Sequence, residues 1–133
     1  MSKVEQTYAM FRKSPFLRHV RRAHLRRMNV EIANGVAITW TQSKRATRLG
    51  GFRIPANAVV LHHIINEAPG NGAATEAFVL FAQERGCDIC LAVRRENSAA
   101  VKFFEKMEME RVGTTKWGTV DGYIYKLRSV HRA

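Results

Sequence analysis

Cysteine, proline and acid are scarce in this chain. Its 133 residues hold two cysteines, three prolines and 11 Asp plus Glu against 22 Lys plus Arg. With three prolines there is no proline-rich linker, and no repeat or low-complexity tract breaks the chain. The cysteines, Cys87 and Cys90, form one C-x-x-C pair. No second Cys or His pair stands at finger-like spacing, so no metal site is expected. A redox C-x-x-C opens a helix, whereas this one follows Gly86 and leads into the apolar run Ile89-Cys90-Leu91. The expectation is two small thiols in a reducing compartment. No apolar run approaches the length of a membrane span. The first residues also lack the unbroken apolar stretch of a secretory signal. The chain therefore reads as cytoplasmic, with no membrane partner.

The excess of base leaves a net charge of +11, and Glu5 is the sole acid among residues 1–30. Long-range electrostatics favour an anionic partner: nucleic acid, an acidic protein or a polyphosphate cofactor. Charge alone does not choose among them. With 46% hydrophobic residues, the length suits one domain over 1–133 that buries its core without disulfides or metals.

Residues 1–28 read as a basic helical part. Residues 4–12 are weakly helical. Over 15–27 a basic amphipathic helix is expected, capped by Ser14, with Pro15 in its first turn and Phe16, Val20 and Ala23 on one side. Residues 29–33 and 36–40 flank Asn34-Gly35, a type I′ hairpin signal. Residues 41–57 read as a mobile polar loop. From residue 58 the order is strand (58–65), helix (73–85, with Ala77, Leu80, Phe81 and Glu84 in register), strand (88–93), helix (98–107, capped by Asn97) and a closing hairpin that turns near Asp121-Gly122. The first two of these strands, joined by a crossover helix, are expected to be parallel, in a mixed α/β sheet.

Between the first parallel strand and its helix lies Pro69-Gly70-Asn71-Gly72-Ala73-Ala74. Small residues let backbone approach a ligand, and successive amides at a helix start suit a pyrophosphate. A tight turn alone would also use two glycines. The turn is neither a Walker loop nor a complete dinucleotide fingerprint.

Read with Arg85-Gly86-Cys87, the strand Ile89–Val93 and the stretch from Asn97 through Ala100, Phe103, Phe104, Glu105 and Lys106 to Met107, this turn resembles the GNAT superfamily of N-acetyltransferases. The resemblance covers residues 58–127, the cofactor-binding core. It implies a GNAT-like acyl-CoA N-acyltransferase fold, truncated at the N-terminus because the usual opening strand is missing. It further implies acetyl-coenzyme A as cofactor and an amine acceptor, small molecule or protein. By the resemblance the pantetheine pairs with Ile64, Ile65 and Asn66. The pyrophosphate rests on Gly70, Asn71, Gly72, Ala73 and Ala74, and Asn97 and Phe104 stand near the cofactor. Pro69 departs from the family's Gln or Arg. Phe104 replaces a tyrosine that is proposed in many members to protonate the leaving thiolate.

Amine acetylation needs a proton acceptor and a proton donor. His62 and His63 are the candidates for the first, and strand alternation sends them to opposite faces. Tyr123 and Tyr125, on one face of the last strand, are candidates for the second. Two alternatives stand beside the enzyme: a catalytically impaired basic module that binds nucleic acid or an acidic protein, and an assembly protein. A homodimer covering the open sheet edge is also expected.

Overall fold

The computed structural model describes residues 1–129. The chain runs α1 (Lys3–Phe11), α2 (Arg22–Leu25), β1 (Asn29–Ala33), β2 (Val36–Gln42), β3 (Thr47–Leu49), β4 (Phe52–Ile54), β5 (Val59–Asn66), α3 (Ala73–Arg85), β6 (Ile89–Arg94), α4 (Ser98–Lys106), β7 (Glu110–Trp117) and β8 (Val120–Leu127). Six strands form a mixed sheet in the order β1-β2-β5-β6-β8-β7, and β3 with β4 forms a separate pair. The expected α/β class with a mixed sheet is present. By packing, the chain divides into two compact units.

The first unit comprises Met1–Thr41 and Leu61–Phe81. Ser2 caps α1 by accepting the Glu5 amide, and the helix buries Thr7 and Phe11. Phe11, Val20 and Leu25 make a core cluster on which Val4, Tyr8, Leu17 and Ile65 pack. That cluster explains why the helix expected over 15–27 does not form. Ser14 accepts the Arg18 amide in a single turn, Arg21 is extended, and only Arg22–Leu25 is helical. On a straight helix, at about 100° per residue, Leu17, Val20 and Leu25 would spread over about 140°. Breaking at Arg21 brings all three onto Phe11. It also relieves the like-charge i,i+4 spacing of Arg18 and Arg22 that a helix would impose, while Arg22 and Arg26 keep theirs and share Glu5. The β1–β2 hairpin turns on Asn34 (φ 52°) and Gly35 (φ 76°) as the I′ signal requires.

The second unit comprises Gln42–Val60 and the chain from Ala82. Residues 41–57 are not a mobile loop. They close β2 and form the β3–β4 hairpin, with Leu49 opposite Phe52. Leu49, Phe52 and Val60 pack on Ile54, Ala58 and Cys90, contacts distant in sequence that a polar composition hides. The hairpin turns at Gly50, whose φ of +58° disfavours any side chain, and a Cβ there would lie 2.6 Å from Thr115 Oγ1. Gly50→Ala is therefore expected to cost about 2 kcal/mol of stability in urea unfolding. Gly51→Ala, where a Cβ meets nothing within 4 Å, should be nearly silent; equal losses at both positions would contradict the steric reason.

β5 enters the sheet here, parallel to β6, through Val59↔Ile89 and Val60↔Cys90. The closing hairpin turns at Gly118 (φ 63°), not near Asp121-Gly122. Gly122 instead sits within β8 opposite Thr115, where a Cβ would meet the Trp117 ring. The residues of α3 that are buried are Phe78 and Phe81. Leu80, placed on its apolar face by periodicity, is 53% exposed, because the two aromatic rings set the helix's rotation.

Candidate active site

The turn between β5 and α3 is shaped by two asparagines. The Asn66 side-chain oxygen accepts the Ala68 amide at 3.0 Å, and its Nδ2 donates to Asn71 Oδ1 at 2.9 Å. The same Asn71 oxygen accepts the Ala73 amide at 3.0 Å. Ala73, expected to face a phosphate, is thus capped by Asn71. The amides of Gly70, Asn71, Gly72 and Ala74 are the remainder of the expected cradle. Gly70 and Gly72 take φ of +91° and +79°, and a Cβ on either would meet nothing within 4 Å. Glycine is needed there for conformation, and the space beside the backbone is open. The turn leads into the positive end of a 13-residue helix. Upstream, the β5–β6 ladder ends at Val60, before Ile64, Ile65 and Asn66 are reached.

His62 and His63 do not point to opposite faces. His63 Nδ1 lies 2.7 Å from Thr39 Oγ1, and His62 Nε2 lies 2.8 Å from Thr41 Oγ1. Thr39 and Thr41 are two apart in β2 and share a face, so both imidazoles stand on that face. Strict alternation in β5 is interrupted between them. The Phe11 ring meets His63 edge-on at 4.8 Å. Burial pushes His63 down to about 3, helped by the neighbouring His62, His24 and His19. Burial, with His24 nearby, also lowers His62. Both are neutral at physiological pH. A threonine at position 39, within the otherwise apolar run Val36–Trp40, is the sequence signal for such a partner, since buried hydroxyls are hydrogen-bonded.

Tyr125 is core, 1% exposed. Its hydroxyl donates to Glu105 Oε2 at 2.8 Å and accepts from Arg111 Nη2 at 3.2 Å. Burial raises its pKa, and the carboxylate holding its proton adds to that. Tyr123 is half-buried, with the Arg111 guanidinium 3.7 Å above its ring centre. The pairing of Glu105 with Arg111 has no local pattern in the sequence, because it joins α4 to β7 across 6 residues. Phe104 is buried, with its ring 6.4 Å from Tyr125. Asn97 caps α4 through the Ala100 amide. Among the described residues no group of three or more His, Cys, Asp or Glu could hold a metal.

No family model matches the sequence, and no curated protein does. Solved structures do match. Chaetomium thermophilum Naa20 in complex with a bisubstrate analogue gives a TM-score of 0.75 at 12% identity, covering 96% of this chain and 84% of that one. The ribosomal-protein-S18-alanine N-acetyltransferase of Escherichia coli gives 0.68 at 14% identity, covering 98% and 90%. PH1933 from Pyrococcus horikoshii gives 0.69 at 14%, covering 97% and 92%. The architecture is the mixed α/β fold of the GNAT acyltransferases. The resemblance to that superfamily, read from residues 58–127, extends in structure over nearly the whole chain.

Proposed function

We propose that this chain is an acetyl-coenzyme A-dependent N-acetyltransferase acting on a peptide or protein amine. The observation that carries this reading is the asparagine-braced Gly70–Gly72 turn at the start of α3, on a GNAT fold. When bound, the cofactor supplies an acetyl group activated as a thioester. The amides of Gly70, Asn71, Gly72 and Ala74 would hold its pyrophosphate, and the backbone of Ile64–Asn66 its pantetheine. Asn97 would contribute by fixing the start of α4. Phe104, apolar and buried, holds no proton.

The acceptor amine must be neutral to attack. His63, held near a pKa of 3, is a poor match for proton transfer at neutral pH. His62 is therefore the proposed proton acceptor. Tyr125 has its proton engaged by Glu105, so Tyr123 is the proposed donor to the leaving thiolate. Of the similar structures, the Escherichia coli protein is a ribosomal-protein-S18-alanine N-acetyltransferase and Naa20 was captured with a bisubstrate analogue, which supports the choice of acceptor. The reading as a nucleic-acid module gains less support. Arg22 pairs with Glu5 at 2.7 Å and stacks on Tyr8, so the basic segment is not an unbroken cationic face.

The test is a thermal-shift titration with acetyl-coenzyme A, coenzyme A and a short duplex at two salt concentrations, followed by thiol-release assays on peptide amines. A folded-state ligand raises the melting temperature by mass action. Stabilisation by both cofactors is expected, and His62→Gln and Tyr123→Phe should each lower kcat about 100-fold while binding persists. No shift with either cofactor, beside a salt-sensitive response to the duplex, would favour the basic module instead.

A further inference from the structure

A second feature of the first unit has no place in cofactor binding. A cavity of about 440 Å³ opens among His19, Arg21, Ala23, His24 and Arg27, with Val20 and His63 also on its wall. Every ionisable side chain on that wall is cationic or imidazole, and none is acidic. The break in the chain at Arg21 makes it. His19 comes from the turn before the break, Arg21 is its extended residue, and Ala23, His24 and Arg27 come from α2 and the turn after it.

The cations of this segment sort into two groups. Arg22 and Arg26 reach Glu5 at 2.7 and 3.9 Å. Among the described residues, no ion pair involves Arg21 or Arg27, the two arginines that line the cavity. Two exposed arginines at one cavity suit an oxyanion, because a guanidinium can bind one through paired N–H donors. The volume exceeds what one small ion fills, leaving room for the side chain and backbone that carry the charge. His63, hydrogen-bonded to Thr39, gives the wall a neutral polar contact that can meet an uncharged part of such a ligand.

We propose that this cavity binds the carboxylate of an acidic peptide, with Arg21 and Arg27 as the recognising groups. That the peptide is also the acetyl acceptor depends on the acetyltransfer reading; its capture by the cavity does not. Selection for acidic acceptors would follow from a pocket on the same face of β2 and β5 as His62.

The experiment is calorimetric titration of the full chain, without acetyl-coenzyme A, with tetrapeptides that have a free amino terminus. One series carries glutamate at the second position and its match carries glutamine. The glutamate peptide should bind about tenfold tighter, the size of one charge-assisted paired contact. In the Arg21→Gln/Arg27→Gln double variant the two peptides should bind within twofold of each other. Both side chains are exposed, so the variant should melt like the parent, and its coenzyme A affinity should stay unchanged. Equal binding of both peptides by the parent protein overturns the proposal. So does undetectable binding of either at millimolar concentration. Inorganic phosphate that binds tightly and is lost in the double variant, with no preference between peptides, would show a free-anion site and overturn it as well. Failure of acetyltransfer leaves these affinities untouched, so the two readings fall separately.

Discussion

Gly72→Asp is expected to raise the dissociation constant for acetyl-coenzyme A by 100-fold or more, roughly 2.7 kcal/mol. Two effects act together. Gly72 has φ of +79°, where any side chain costs about 1–2 kcal/mol of backbone strain. A carboxylate there would also project into the open space beside the amides proposed to hold a pyrophosphate, replacing attraction by repulsion. Gly72→Ala separates the terms: it keeps the strain, omits the charge, and should weaken binding by about tenfold. Because the Gly72 carbonyl accepts the Glu76 amide at 3.3 Å, α3 can begin in the same place in both variants. Melting curves will show whether it does. Isothermal titration giving parental affinity for the aspartate variant would remove the turn from the cofactor site.

The second large effect is a loss of stability in acid, centred on His63. In the fold its imidazole stays neutral down to a pH of about 3; in an unfolded chain it takes up a proton near pH 6.5, the ordinary histidine value. Above pH 6.5 both states are neutral at this site, and His63 contributes no pH dependence. Between 6.5 and 3 only the unfolded chain binds the proton, so stability falls as pH falls, by up to about 1.4 kcal/mol per unit. Below 3 the loss from this group is complete. From pH 7 to pH 5 that amounts to about 2 kcal/mol, and His62, shifted in the same direction, adds to it. His63→Gln keeps a polar partner for Thr39 and removes the titration. Urea midpoints at pH 7 and pH 5 should therefore converge in the variant relative to the parent. An identical pH slope in both proteins would show that His63 is not held neutral.

These two predictions differ in how much of their basis is legible in the chain. The turn was readable because its evidence is local. Gly70 and Gly72 stand between an apolar run and a helical pattern, and their positive φ follows from a strand-to-helix turn of that length. What the residue string does not show is that Asn71 takes the Ala73 amide for itself, since that depends on the turn's final geometry. The histidines were readable as candidates and unreadable as a pair. Adjacent strand residues alternate, and only their bonds to Thr39 and Thr41 of another strand reveal the interruption. The tyrosines show the same division: their shared face follows from spacing, but the Glu105 carboxylate that engages Tyr125 arrives from α4.

The sequence by itself determined the features that depend on neighbours a few residues away. These are the I′ hairpin at Asn34-Gly35, the Asn97 cap, the Gly86 stop after α3, and the strand–helix order from residue 58 that carries the GNAT resemblance. Local sterics and amide satisfaction decide these before any core exists. The tertiary structure alone decided the break at Arg21, the β3–β4 hairpin, the rotation of α3 that exposes Leu80, and the common face of His62 and His63. In each case residues far apart in the chain compete for the same buried space. The burial of Phe11 with Leu17, Val20 and Leu25, or of Ile54 with Cys90, outweighs the modest local preference that a short segment can express.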